Sequence, residues 1–225
     1  TLEEMFPGRF YLGLGAGEAL NEHIVAEYWP EAPIRLERLM ESIEIITKLF
    51  SGKKIKHRGQ HFTMEGAKLY TMPPSAPPIY VATSGPIMAF RTGIFTVGLI
   101  TVGAADEILR MLVEGFEAVA REAGKDPSTM PKMLQVKVSY APTVEEATEA
   151  AVRDWPNGGM AFPKGDIRDP EDFEAMAKLV RPENYKNRVL ITPDPETHVA
   201  YLQHFIDLGF DEIYVHNVGR DQEPF

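Results

Sequence analysis

Short apolar runs and longer amphipathic stretches alternate along this chain. The apolar runs lie at residues 10–14, 79–83, 99–102, 133–140 and 212–216, and each has the length of a β-strand. Between them, apolar residues recur at spacings of three and four, which is typical of helices with one buried face. Strands that are apolar throughout belong to parallel sheets buried on both faces. The pattern therefore predicts an α/β fold.

The strongest helical pattern covers residues 34–50. Its apolar residues fall on one stripe: Leu36, Leu39, Met40, Ile43, Ile46 and Leu49. Shorter or weaker patterns predict helices over residues 18–27, 87–96, 104–123 and 170–180, from Thr143 onwards, and from Pro195 to Leu208. Residues 53–70 interrupt the alternation and read as two short strands around a turn. We expect a hairpin there, off the main core.

The count of five full strands limits the architecture. A closed (β/α)₈ barrel of the TIM type needs eight strands and ~250 residues. Five strands suit either an open doubly wound sheet or a barrel that lacks three units. The first six residues resemble the end of a helix before the Pro7-Gly8 turn. This feature favours the incomplete barrel, in which the chain would supply strands 4 to 8.

Composition narrows the class of partner. The 225 residues carry 33 acidic and 23 basic side chains, a formal net charge of −10. A protein that coats nucleic acid or an anionic membrane needs a basic surface, so neither partner is expected. No apolar run approaches the ~18 residues of a membrane span. The absence of cysteine is compatible with a cytoplasmic protein.

The first strand ends in a glycine-rich turn that suggests a ligand site. Gly13, Gly15 and Gly17 resemble a dinucleotide fingerprint, but Glu18 occupies the place of the fingerprint's last glycine and would repel a pyrophosphate. Glu18 and Asn21 share a face if this segment is helical. Two interpretations are open. The carboxyl group transfers a proton in a ligand pocket, or both side chains only cap local backbone groups.

Other strand ends carry weaker signals. Thr83, Ser84 and Gly85 lead from a strand into a helix, as either a phosphate cradle or a simple turn. Lys164 and Arg188 are candidate anion ligands or solvated surface charges. His57 and His61 have no third ligand nearby, so we expect no metal site. His216 ends the last strand, where it faces a pocket or lies on the rim.

Three strings of residues carry a resemblance to a known family. They are GRFYLGLGAGEALNE at 8–22, YVATSGP at 80–86 and ITPDPE at 191–196. The chain resembles the bacterial luciferase-like superfamily, and in particular its branch of deazaflavin-dependent glucose-6-phosphate dehydrogenases. The resemblance implies one (β/α)₈-type domain over residues 1–225, with the hairpin as an excursion after strand 4.

The same resemblance implies a function and a set of site residues. The function is oxidation of an alcohol or sugar-phosphate-like small molecule by hydride transfer to coenzyme F420, with FMN as the alternative cofactor. Glu18 matches a proton-transfer glutamate, and Lys164 and Arg188 match residues that hold the substrate phosphate. The residues expected near the cofactor are Ala16, Gly17, Asn21, Thr83, Ser84 and Gly85.

Several departures from the family keep alternatives open. Ala105 stands where the family has a third phosphate-binding lysine, and a catalytic histidine and tryptophan have no counterpart in this chain. A catalytically silent barrel fragment or assembly subunit, and an FMN-dependent monooxygenase, are therefore the other hypotheses. Phe90, Ile94 and Val97 form an apolar stripe that belongs either to the core or to an interface of a homo-oligomer.

Overall fold

The structure is a computed structural model that describes residues 1–25, 28–83, 85, 89–91, 93–94, 98–162 and 164–225. The chain divides into two compact units. The first unit comprises Thr1–Ala16, Pro30–Ile100 and Met111–Pro131. The second comprises Gly17–Trp29, Thr101–Arg110 and Lys132–Phe225.

Helices and strands follow the predicted order. The helices are α1 (Leu2–Met5), α2 (Ala19–Glu22), α3 (Ala32–Leu49), α4 (Asp106–Glu122), α5 (Val144–Asp154), α6 (Pro170–Ala177) and α7 (Pro195–Asp207). The strands are β1 (Leu12–Leu14), β2 (Ile55–Arg58), β3 (Thr63–Ala67), β4 (Ile79–Ala82), β5 (Gly98–Val102), β6 (Lys132–Ser139), β7 (Leu190–Ile191) and β8 (Glu212–Asn217).

In the first unit, β4 pairs in parallel with β1 on one side and with β5 on the other. Val81 of β4 packs against Leu39 and Ile43 of α3, and all three side chains are buried. This contact explains the apolar stripe of the long helix. The expectation of a buried first strand is wrong, because β1 is half-buried to exposed. Tyr11, just before it, is 40% exposed and lies edge-on to Tyr80.

The hairpin predicted within residues 53–70 is present as the antiparallel pair β2–β3. Glu41 of α3 holds it through three hydrogen bonds. His57 Nε2 donates at 2.8 Å, and the backbone amides of His61 and Phe62 each donate at 2.9 Å. Burial alone would raise the pKa of Glu41, but these donors outweigh it and lower the pKa to about 2. His57 therefore has a structural role.

In the second unit, β6 pairs in parallel with both β7 and β8. Leu134, Val136 and Val138 alternate along β6 and are fully buried. Helix α5 begins with a reciprocal capping box between Thr143 and Glu146. Tyr185 is buried behind α5, and its hydroxyl donates to the carbonyls of Ala151 at 2.9 Å and Trp155 at 3.1 Å. These bonds fix the start of the loop that follows α5.

Several boundaries differ from the sequence-based expectations. The predicted helix over 18–27 is a single turn, α2, and the side chains of Ile24 and Val25 after it are exposed rather than packed against a core. Residues 190–191 form a short strand that was not counted among the five. The helix expected over 87–96 falls largely outside the described residues. No helix in the described part of the chain is both long and apolar enough to cross a membrane.

Candidate functional site

The turn between β1 and α2 requires a glycine at position 17. Gly17 has a φ of +78°, and a Cβ added there would lie 3.0 Å from Cγ of Glu22 and 3.3 Å from Cη2 of Trp29. A side chain at this position would therefore be both strained and crowded. The turn leads the chain directly into Glu18, the residue that begins α2.

Glu18 begins α2 through its backbone alone. Its carbonyl accepts from the amides of Asn21 and Glu22, both at 3.1 Å. Its side chain makes no capping hydrogen bond and is exposed. Asn21, three residues on, is also exposed, and its side-chain amide has no hydrogen bond within the described residues. The interpretation that these two side chains only cap the backbone is therefore wrong, and both are free to meet a ligand.

The loop after α5 lies against this turn. The amide of Ala19 donates to the carbonyl of Gly165 at 2.9 Å, and Trp29 Nε1 donates to Asp166 Oδ1 at 3.0 Å. Lys164 lies in the same loop, where its ammonium donates to the carbonyl of Asn157 at 2.8 Å. Lys164 and Glu18 thus each directly precede a residue of the Ala19–Gly165 backbone hydrogen bond.

The charged groups around Lys164 shift its pKa in opposite directions. Burial lowers the pKa of Lys164, and the positive charges of Lys137 and Arg188 lower it further. The negative charge of Glu18 raises the pKa of Lys164. Arg188 is exposed, and its Nη1 donates to the carbonyl of Met160 at 3.5 Å. Glu18 and Arg188 thus both act electrostatically on Lys164. Lys137 was not singled out from the sequence.

Lys137, which also acts on Lys164, pairs with His216 on two neighbouring strands. They occupy opposite positions in the register of β6 and β8, so their side chains share one face. Burial lowers the pKa of both, and the Lys137 charge further lowers that of His216. The His216 ring also contacts Trp155 edge-on at 4.8 Å between centroids. The sequence contains a pattern that could have identified Lys137, because Gln135, Lys137 and Ser139 alternate with the apolar residues of β6.

The remaining cofactor candidates lie in the first unit or outside the described residues. Thr83 Oγ1 accepts from the amide of Gly85 at 3.2 Å and donates to its carbonyl at 3.1 Å, which closes a tight turn. A Cβ added at Gly85 would meet nothing within 4 Å. Ala16 is half-buried and packs against the cluster around Val81. Ser84 is outside the described part of the chain.

Two further positions from the sequence analysis can be placed. Ala105 is exposed, and its carbonyl accepts from the amides of Ile108 and Leu109 at the start of α4. Phe90 and Ile94 of the apolar stripe are 43% and 45% exposed, respectively, although the Phe90 ring also lies over Gly115. Val97 lies outside the described residues. Among the described residues, no group of three or more His, Cys, Asp or Glu is arranged to hold a metal ion.

Comparison with known proteins places this architecture in a family. The family model for luciferase-like monooxygenase matches residues 1–212. The chain therefore belongs to the luciferase-like monooxygenase family. The F420-dependent glucose-6-phosphate dehydrogenases of Microbacterium testaceum and Mycolicibacterium gilvum are 35% and 34% identical to it. Each alignment covers 100% of this chain and 68% of the relative.

Solved structures agree with the sequence relatives. An F420-dependent secondary alcohol dehydrogenase, solved with an F420-acetone adduct, is 33% identical with a TM-score of 0.89. The match covers 98% of this chain and 68% of that one. A coenzyme F420 dependent tetrahydromethanopterin reductase from Methanopyrus kandleri has a TM-score of 0.74 at 21% identity, which concerns the fold alone. The predicted family and barrel-type α/β fold class are thus confirmed.

Proposed function

We propose that this chain is an F420-dependent oxidoreductase that oxidises an alcohol or sugar-phosphate-like substrate by hydride transfer to the deazaflavin. The observation that carries the proposal is the similarity to F420-dependent dehydrogenases at 31–35% identity along the whole chain. A structure with an F420-acetone adduct is similar over almost the same length. Small alcohols and the corresponding ketones are therefore candidate substrates and products.

The donor set around α2 fits a deazaflavin ring. Such a ring presents N–H and C=O groups along one edge, and it accepts hydride at carbon. Glu18 and Asn21 supply a carboxylate and an amide three residues apart, and neither is used to cap the helix. Gly17 has a positive φ and no side chain, so the backbone can turn sharply from β1 into the residue Glu18. Gly17 and Asn21 are therefore proposed to contact the cofactor.

Oxidation of an alcohol removes a hydride from carbon and a proton from the hydroxyl group. The deazaflavin, when bound, supplies the acceptor for the hydride. Glu18 is the proposed acceptor for the proton, because its carboxylate is exposed, ionisable and free of capping bonds. Lys164 and Arg188 are proposed to hold an anionic group of the substrate. His216, with its pKa lowered, stays neutral at pH 7 and adds no charge there.

Three residues of the first unit are also proposed to contact the cofactor. Thr83 and Gly85 are proposed to contact the cofactor phosphate, with Ser84 between them in the sequence, because the Thr83 hydroxyl already orders this turn. Ala16 is proposed to contact the cofactor at the end of β1. A Type II Baeyer-Villiger monooxygenase solved in complex with FMN is 19% identical, and at that level the similarity concerns the fold alone. F420 is therefore the cofactor we propose.

Assembly and location are further parts of the proposal. We propose a homo-oligomer that uses the exposed apolar side chains of Phe90 and Ile94, together with Val97 from the sequence pattern. Exposed apolar patches commonly mark such interfaces. A cytoplasmic location suits a chain without cysteine that acts on small molecules with a diffusible cofactor.

The substitution Glu18→Gln tests the role of the carboxylate. It preserves shape but removes the proton acceptor, so turnover should fall by about 10²- to 10⁴-fold while F420 binding changes little. The assay follows loss of oxidised F420 absorbance with glucose 6-phosphate or 2-propanol. Glu22→Gln, on the same helical turn, is the matched control. Equal turnover in Glu18→Gln and wild type would contradict the proposed role.

A further inference from the structure

The backbone around Glu18 is held on both sides, although the Glu18 side chain is not. Before it, Gly17 lies against the ring of Trp29, since a Cβ added at Gly17 would be 3.3 Å from Cη2 of that ring. After it, the amide of Ala19 donates to the carbonyl of Gly165 at 2.9 Å. The side chain of Glu18 is exposed and makes no capping hydrogen bond. The backbone of Glu18 is therefore fixed while its carboxylate stays available.

One side-chain hydrogen bond connects these two contacts. Nε1 of Trp29 donates to Oδ1 of Asp166 at 3.0 Å, and Asp166 directly follows Gly165 in the chain. This bond links the ring that lies beneath the turn to the loop that accepts from the first amide of α2. Trp29 and Asp166 are 137 residues apart in the sequence, so the contacts close a ring around Glu18 only in the folded chain.

Trp29 and Asp166 differ in their surroundings. Trp29 is buried, with 7% of its surface exposed, whereas Asp166 is exposed. Removal of an acceptor from a buried donor is unfavourable, so the bond favours the closed arrangement of loop and turn. Because Asp166 is at the surface, its side chain can be replaced without leaving a cavity.

Lys164 is held by a separate contact. Its ammonium donates to the carbonyl of Asn157 at 2.8 Å, a bond in which neither Trp29 nor Asp166 takes part. Loss of the bond from Trp29 to Asp166 therefore leaves this contact of Lys164 in place. We expect the consequence at Glu18 rather than at the residues proposed to hold the substrate.

We propose that Trp29 and Asp166 are positioning residues for the proton transfer, and that they act through the backbone on either side of Glu18. This inference rests on the proposed function, in which Glu18 accepts the proton of the alcohol. A proton acceptor must lie within hydrogen-bond reach of the hydroxyl group, and a displacement of about 1 Å can lower a rate by about 10²-fold. With the backbone fixed, only the side-chain rotamers of Glu18 remain to be ordered when the substrate binds.

Substitutions of Asp166 test the proposal. Asp166→Ala removes the acceptor, and kcat per bound F420 should fall by about 10- to 100-fold while KM for glucose 6-phosphate or 2-propanol changes little. Asp166→Asn keeps an oxygen acceptor without the charge and should retain most of the wild-type kcat. Asp172→Ala, which removes an exposed acidic residue of α6, is the matched control and should leave kcat unchanged.

Trp29→Phe removes the donor and keeps a ring beside Gly17. It should resemble Asp166→Ala, and the double variant should be no slower than either single variant, because both substitutions remove the same bond. Fluorescence titration with F420 counts the binding sites, so a loss of folded protein is not mistaken for a fall in kcat. Circular dichroism of each variant checks folding.

Hydrogen exchange at the Ala19 amide gives a readout that needs no cofactor. Exchange should be faster in Asp166→Ala and Trp29→Phe than in wild type, and unchanged in Asp166→Asn. Equal kcat in Asp166→Ala and wild type, an equal loss of kcat in Asp166→Asn and Asp166→Ala, or unchanged Ala19 exchange in Asp166→Ala would each overturn the inference. A wild type that does not bind F420 would instead refute the proposed function, and the role in proton transfer with it.

Discussion

Lys137 and His216 occupy paired positions on the parallel strands β6 and β8. Because paired residues of parallel strands share a face, the lysine charge acts directly on the imidazole. Burial and this charge both disfavour protonation of His216 in the folded state. The unfolded chain therefore binds more protons at His216 below pH 6.5, so stability falls as the pH decreases through that window.

The substitution Lys137→Met should raise the pKa of His216. It removes the lysine charge but keeps an unbranched side chain on the same face, so burial changes little. The pKa is measured by NMR titration of the His216 imidazole protons. Lys178→Met serves as the control and should leave the titration unchanged. A His216 pKa that is identical in Lys137→Met and wild type would argue against the contact.

The stability contributed by Glu41 should disappear in acid. Its pKa is about 2 in the folded chain and 4.5 ordinarily, so its contribution is complete above pH 4.5 and is lost as the pH falls toward 2. Glu41→Gln should therefore destabilise the protein near pH 7, with a smaller difference from wild type near pH 2. Denaturant titrations at several pH values measure this difference.

Glu44→Gln is the control for the Glu41 experiment. Glu44 lies in the same helix, and its carboxylate pairs with Lys48 at the surface. Pairs of that kind contribute little, so this variant should resemble wild type at every pH. Hydrogen exchange at the amides of His61 and Phe62 gives a local readout. Unchanged exchange at both amides in Glu41→Gln would show that the hairpin does not depend on the carboxylate.

Tyr185→Phe should destabilise the second unit by about 1–2 kcal/mol. The substitution removes the donor to the carbonyls of Ala151 and Trp155, while the ring still fills its buried site. Burial raises the pKa of Tyr185 to about 12, so the hydroxyl remains a donor at all ordinary pH values. Thermal unfolding measures the change. Tyr70→Phe, at an 89% exposed position, should have no effect.

Ile94→Lys should shift the protein to a smaller species in analytical sedimentation. Ile94 is 45% exposed, so a lysine there remains solvated in the monomer but disrupts an apolar interface. Arg91→Lys, at an exposed position nearby, keeps the charge and serves as the control. The same sedimentation coefficient for Ile94→Lys and wild type at all concentrations would exclude this residue from an interface.

Helices and strands were predicted best where the local sequence pattern alone determines them. The stripe from Leu36 to Leu49 has a helical period over several turns, and α3 differs from its expected bounds by two residues at the start and one at the end. A helix was expected from Thr143 onwards, and the structure shows it beginning with the reciprocal cap between Thr143 and Glu146. The expected closeness of Glu18, Lys164 and Arg188 came from family resemblance rather than from periodicity.

Features that depend on tertiary contacts were missed. Lys137 lies between the buried residues Val136 and Val138. Because residues 133–140 were interpreted as one apolar strand, the face of that strand with alternating polar residues was overlooked. The carboxylate of Glu41 joins two hairpin amides 20 and 21 residues away, which no local pattern specifies. Helix α2 ends after one turn, and the exposed side chains of Ile24 and Val25 show no packing that would support a longer helix.

Binding of oxidised F420 tests the proposed function most directly. Titration of the purified chain should perturb the F420 absorbance and fluorescence with saturation at micromolar concentrations, and FMN should bind at least about tenfold more weakly. Addition of glucose 6-phosphate or 2-propanol to the F420 complex should then bleach the oxidised cofactor. Failure of F420 to bind at micromolar concentrations, whether or not FMN binds, would contradict an F420-dependent oxidoreductase.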